Sequence, residues 1–290
     1  MKKVPKEQAY AIIHNAMLKT YLNLNPRKFV NPFTDFGLKK LFGEKGSEIL
    51  IKDFLNCILP LDSKITKVKF QTDKGTSKMR CNKPNFSIYC INEDNQACIV
   101  EIQKPEKENF KSRSVYHSTF LIQDSNARPV YCINFLDFIF EDNPKNSDYI
   151  HIVRLKNERK DTFYDKLTYV FVEIPKFQKE EINLDTQIDK WLYFLKNLES
   201  WERAPKVFQN DNVFNKAFDN AKISNYSEKD QQSYKSDLLV CMINKAHQEI
   251  QKTEVIEFIE EAAEKRMYDK MIQSGIPEKQ AHKIAYGKAA

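Results

Sequence analysis

Glu101 and Gln103 stand two residues apart in Ile99-Val100-Glu101-Ile102-Gln103, a run in which apolar and polar residues alternate. That period puts the polar pair on one face of a strand. A second alternating run, Asn85-Phe86-Ser87-Ile88-Tyr89-Cys90, precedes it, and Glu93-Asp94-Asn95-Gln96 lies between. Asp and Asn favour tight turns, so strands over 85–91 and 98–103 read as an antiparallel hairpin. With the turn centred on Asp94 and Asn95, Ser87 falls opposite Glu101 and Asn85 opposite Gln103. Phe86, Ile88 and Cys90 then share the apolar face with Cys98, Val100 and Ile102. A polar cluster on a sheet is one way to hold a hard cation. Mg2+ takes oxygen ligands, usually one or two carboxylates completed by water and phosphate. Such an ion lowers the pKa of bound water and stabilises charge on a scissile phosphate. Only Glu101 brings a negative charge here; Gln103 offers a carbonyl and an amide, and Ser87 and Asn85 are neutral. A polar sheet face that merely meets solvent would give the same pattern.

The surrounding pattern supplies the elements that would position this hairpin. Helices are expected over 7–23, from Thr34-Asp35 to Phe42, and from Ser47 to Ile58, where Pro60 stops the last. Ile65 to Gln71 reads as a strand, and 73–82 as a polar loop. A helix over 107–123 crosses to an almost continuously apolar strand, Val130 to Phe140. Strands over 151–157 and 167–174 follow, then helices near 189–198, 211–222, 228–249, 253–274 and 277–286. That order predicts an α/β fold with a mixed sheet.

The chain has 290 residues, room for one large domain or one with a helical appendage. Apolar residues at 41% allow a sizeable core, while 30% charged residues and no run of about 18 apolar ones exclude a transmembrane helix. The basic start, Met1-Lys2-Lys3, has no apolar signal core behind it, so a cytoplasmic protein is expected. The net charge of +6 mildly favours a polyanion such as DNA, although 46 basic and 40 acidic residues also describe an ordinary surface. Lys104, Lys107, Lys111 and Arg113 form a basic stretch that could meet a phosphate backbone or only water. The six cysteines lack paired zinc-ligand spacing, and the phosphate-loop, nucleophile-elbow, dinucleotide and zinc-protease motifs are absent. His117, beside Tyr116, reads as a packing or surface residue, and the end segment from Gly275 only faintly suggests a helix-turn-helix.

Longer stretches resemble a known family. Asn31-Pro32-Phe33-Thr34-Asp35-Phe36-Gly37-Leu38-Lys39-Lys40-Leu41-Phe42-Gly43 resembles the opening signature of the PD-(D/E)XK nuclease family transposases, also called Rpn-type recombination-promoting nucleases. Phe86-Ser87-Ile88-Tyr89-Cys90 with Ile99-Val100-Glu101-Ile102-Gln103 resembles their core hairpin, and Arg113-Ser114-Val115-Tyr116 the next helix. Phe171-Val172-Glu173-Ile174-Pro175-Lys176-Phe177, with Trp191, Phe194 and Leu195, is similar to their closing strand and helix. The resemblance implies a restriction-endonuclease-like mixed sheet flanked by helices, with a nuclease-like core over 1–180 and a helical C-terminal region over 181–290. It also implies Mg2+ dependence and cleavage of DNA, with Glu101 as metal ligand and Gln103 positioning water or phosphate. The family's hairpin Asp falls on Ser87, which cannot supply the missing charge. The path from Gln123 to Val130 is also short, as if a loop were lost. Three readings stay open: an active endonuclease in which Asp35 or Asp73 replaces the missing carboxylate, a catalytically inactive member that binds DNA or protein, and an unrelated interaction protein using its helical tail.

Overall fold

The computed structural model describes residues 27–70, 86–103, 110–139, 147–274, and 277, 278, 280, 282 and 284. Side chains at 86, 87, 101, 103, 124 and 244–264 fall outside the description. The helix expected over 7–23, the loop at 73–82 with Asp73, and Asn85, Lys104 and Lys107 also lie outside it; so does much of 277–286. The chain divides into two compact units, Asn25–Asp237 and one that includes Leu238–Ala290.

The strands are β1 (Ile65–Phe70), β2 (Phe86–Asn92), β3 (Ala97–Gln103), β4 (Val130–Leu136), β5 (Ile150–Lys156) and β6 (Thr162–Glu173). They form one six-stranded sheet in the order β1-β2-β3-β4-β6-β5. β3, β4 and β6 run parallel; β1 and β2 on one side, and β5 on the other, join antiparallel. This is the mixed α/β sheet that the sequence implies. The helices are α1 (Asp35–Leu38), which continues into a π-helical turn over Lys39–Gly43, then α2 (Glu48–Ile58), α3 (Phe110–Asp124), α4 (Gln187–Asn197), α5 (Asn212–Ala221) and α6 (Glu228–Gln273).

Aromatic rings build the core on one side of the sheet. α2 buries Leu50, Ile51, Phe54, Leu55 and Ile58, a single stripe at helical spacing. Phe54 meets Phe42 at 5.1 Å, Trp191 of α4 at 5.7 Å and Phe135 of β4 at 5.9 Å between ring centroids. Trp191 also lies 4.7 Å from Phe214 of α5. The even-numbered residues of β2 and β3, Ile88, Cys90, Val100 and Ile102, are buried on this side. Cys90, Cys98 and Cys132 are buried free thiols.

Gly37 fixes how the chain enters this layer. Thr34 caps α1 through the Gly37 amide at 2.9 Å, and its hydroxyl donates back to the Asn31 carbonyl at 2.9 Å. A Cβ on Gly37 would overlap that same Asn31 carbonyl oxygen. Gly37→Ala must therefore push the Asn31–Pro32 backbone aside, and is expected to destabilise by at least about 2 kcal/mol. A urea melt with an unchanged midpoint would refute this.

Asp189 closes the α4 N-terminus by a reciprocal cap with Thr186. It also accepts from Lys179 at 2.8 Å and from Tyr149 at 3.1 Å. Burial alone would raise its carboxyl; the Lys179, Thr186 and Tyr149 hydrogen bonds outweigh burial and hold it below the usual value. A depressed folded pKa stabilises above the unfolded pKa, and the contribution fades as pH falls through the folded value. Asp189→Asn is thus expected to cost about 1–2 kcal/mol at neutral pH. The deficit should shrink as the pH drops below about 4. Urea melts at several pH values check this, and a pH-independent deficit would contradict it.

Three boundaries differ from expectation. β4 ends at Leu136 rather than Phe140; the chain bends from Asp137. β6 begins at Thr162, five residues before the expected 167, because its first half pairs with β5 outside the core, where no apolar pattern is needed. The helices expected over 228–249 and 253–274 are one helix, α6. No Gly or Pro interrupts it, and Gln251 and Lys252 at the expected break are good helix formers.

Candidate functional site

The hairpin has the register that alternation predicts. Ser87 pairs with Glu101, Ile88 with Val100 and Cys90 with Cys98. The turn closes by an Asn92 amide donating to the Gln96 carbonyl at 3.0 Å, with Asn95 in the left-handed region at φ 58°. At 87, 101 and 103 the structure describes the backbone, so these residues are placed by the ladder. β3 carries the ladder onward in parallel: Glu101 pairs with Cys132 and Gln103 with Asn134. Cys132 pairs with Tyr169, and Asn134 with Phe171. Two rows therefore cross the sheet on one face, Ser87–Glu101–Cys132–Tyr169 and Gln103–Asn134–Phe171–His151.

Beside the positions 87, 101 and 103, whose side chains lie outside the description, this face is packed. Ile99 at 5% exposure, Val130, Cys132, Leu136, Leu167, Tyr169 and Phe171 form a second core cluster with Phe110 and Leu121 of α3. α3 approaches through small residues. Its buried stripe is Phe110, Ser114, Ser118, Leu121, then Ser125 just beyond the helix. Ser114 donates to Asn134 Oδ1 at 3.1 Å, and Asn134 Nδ2 donates to the Cys132 carbonyl at 3.1 Å. The Ser118 and Tyr169 hydroxyls are 2.7 Å apart. Among the described residues, Ser114, Ser118, Asn134 and Tyr169 under α3 thus each find a partner, as burial demands. His117 sits at the helix side, its pKa lowered by burial and then by the Arg113 charge.

The donor set in the Glu101 row is thin. Across β2 stands Ser87, and across β4 a thiol. Burial pushes the Tyr169 phenol up, despite the Ser118 hydrogen bond, so it brings no second anion. Among the described residues, which leave out the side chains of Ser87, Glu101 and Gln103, no three His, Cys, Asp or Glu side chains group as a metal site. The Glu101 row thus offers one carboxylate position, where Mg2+ usually takes one or two with water and phosphate. Asp35 does not share this register: it is exposed in the first turn of α1. That helix leads into the Phe42–Phe54 layer on the other side of the sheet.

The structure adds a charged group that the hairpin reading passed over. Glu173 ends β6, in register with Leu136 at the end of β4, and is fully buried. His151 Nε2 lies 2.8 Å and Lys176 Nζ 2.7 Å from its carboxylate. The group ties β5, β6 and the turn after β6 together at the carboxyl ends of the parallel strands. Its signal in the sequence is the lone carboxylate closing the apolar run Val170-Phe171-Val172. Asn134 had a similar signal, a single amide inside Val130–Leu136.

None of the helices in the described residues is long and apolar enough to cross a membrane. No curated protein and no solved structure matches the chain. A sequence model of the PD-(D/E)XK nuclease family transposases matches residues 32–247, which takes in the whole sheet, α1 to α5 and the start of α6. With well over half of its length matched, and a mixed sheet consistent with a restriction-endonuclease-like core, the chain belongs to the PD-(D/E)XK nuclease family transposases.

Proposed function

We propose that this chain is an Rpn-type member that retains DNA as its partner in the cytoplasm but carries an incomplete Mg2+ centre, so that it cuts DNA poorly or not at all. Glu101 is the remaining metal-ligand position, Gln103 lies two residues on, and Ser87 occupies the place of the hairpin Asp. The observation that carries the reading is the direct pairing of Ser87 with Glu101. A carboxylate at 87 would face the one at 101; a hydroxyl leaves the row with a single charge. Gln103 is a neutral donor and acceptor, suited to orient water or a phosphate oxygen, and it cannot replace the lost anion. Family membership supports DNA as the partner.

The test is nicking of supercoiled DNA by the full chain with Mg2+ or Mn2+. Wild type and Glu101→Ala are expected to be equally near background. Strong cleavage by wild type, lost in Glu101→Ala, would overturn the proposal and point to a working centre completed by another carboxylate, such as Asp73, which lies outside the described residues.

A further inference from the structure

The first half of β6 leaves the sheet. β4 pairs with β6 only from Leu167 onward, whereas β5 continues to pair further out, Leu155 with Tyr164 and Lys156 with Thr162. Residues 154–164 therefore form a two-stranded arm beyond the sheet's edge. It extends from the end at which the parallel strands begin, away from Gln103 at the carboxyl end of β3. Register shifts at Arg154–Leu155 and Leu155–Lys156 mark bulged pairing at its base, which strengthens twist. The tip is built tightly. The Asn157 amide donates to the Asp161 carbonyl at 2.9 Å, Asn157 Oδ1 accepts from the Asp161 amide at 2.9 Å, and Lys160 takes φ 67°.

The arm and the strand that leads into it carry exposed apolar side chains. In the arm Phe163 is 80% exposed and Leu155 42%, and Ile152 and Val153 at its base are also above 40%. Arg154, Lys156, Arg159 and Lys160 are exposed beside them. Between 154 and 166 there are five cations and three carboxylates, and one of those carboxylates, Asp161, lies 3.4 Å from Arg159. Exposed apolar side chains interleaved with cations suit a polyanion that offers apolar contacts between its charges. The B-DNA major groove, about 12 Å wide, admits a two-stranded ribbon, exposes thymine methyls on its floor and is walled by phosphates. The deep, narrow major groove of A-form RNA excludes such a ribbon.

We propose that the β5–β6 arm is a docking element for duplex DNA that enters the major groove. Arg154, Lys156, Arg159 and Lys160 contact phosphates, and Phe163 meets base edges. This surface is separate from the Glu101 row, and its test is independent of cleavage. The full chain, in EDTA, is titrated into a labelled DNA duplex across a salt series and followed by anisotropy. Three proteins are compared: wild type, the variant carrying Arg154→Ala, Lys156→Ala, Arg159→Ala and Lys160→Ala together, and Phe163→Ala. Wild type is expected to bind DNA in preference to an RNA duplex of the same sequence. The quadruple variant should bind at least about 10-fold more weakly, with the slope of log K against log salt reduced by about 3 to 4. Phe163→Ala should weaken binding about 5-fold with the slope unchanged. The proposal is overturned if wild type does not bind the duplex, or if all three proteins share one affinity and slope. It is equally overturned if sedimentation shows a wild-type dimer that Phe163→Ala dissociates, since a second copy would then cover the arm.

Discussion

Replacing Ser87 by Asp is expected to raise Mg2+-dependent nicking of supercoiled DNA on the order of 100-fold above wild type. The argument is geometric. The Asn92–Gln96 hydrogen bond sets the phase of the antiparallel ladder. Hydrogen-bonded pairs alternate with non-hydrogen-bonded ones, and counting back makes Ser87–Glu101 a non-hydrogen-bonded pair. In such pairs the Cα atoms approach to about 4.5 Å and the side chains lie closest. Two carboxylates there can share one divalent ion. Without the ion they repel, so Ser87→Asp should melt lower than wild type in EDTA and recover on addition of Mg2+. Ser87→Asn supplies a similar shape without the charge and should stay at background. Activity in Ser87→Asn equal to that in Ser87→Asp would show that charge at this position is not what the chain lacks.

The largest effect on stability is expected at Trp191. Its ring is fully buried and touches Phe42, Phe54, Phe194 and Phe214. Its Nε1 donates to Asp53 Oδ1 at 2.6 Å, and Gln187 donates to the same oxygen at 2.9 Å. Trp191→Ala removes the central ring and one of the Asp53 donors, an expected loss of about 3–5 kcal/mol. For a unit of this size that lowers the Tm by about 6–20 °C. Trp191→Phe keeps a ring and loses the donor, and should cost about 1–2 kcal/mol. A Trp191→Ala melt within about 2 °C of wild type would mean that α4 is not part of the core.

What could be read from the sequence, and what could not, follows from the type of signal each element leaves. The hairpin was legible to the residue pair because strict alternation meets a short Asp-Asn turn, and a slip by one residue would have turned every side chain to the wrong face. The α2 stripe was legible because its buried positions are all large and apolar. The α3 contact surface was not. Its buried positions include Ser114 and Ser118, whose burial depends on Asn134 and Tyr169, residues far away in sequence. For the same reason the hairpin alone does not show that Ile99 and Cys132, on the same sheet face as Glu101, pack with α3. The Glu173 group was hidden because its partners, His151 and Lys176, are brought to it by strand pairing and by the turn after β6. The outer arm of β5 and β6 is mostly exposed, so no apolar pattern marks where β6 begins.

The central claim is that the Glu101 row lacks one carboxylate, at position 87. Calorimetric titration of Mn2+ into wild type, Ser87→Asp and the double variant Ser87→Asp/Glu101→Ala tests it without DNA. The account predicts no specific site in wild type tighter than about 1 mM, a single site tighter by about 10- to 100-fold in Ser87→Asp, and its loss in the double variant. Stoichiometric Mn2+ binding by wild type at about 10 μM or tighter, abolished by Glu101→Ala, would contradict it.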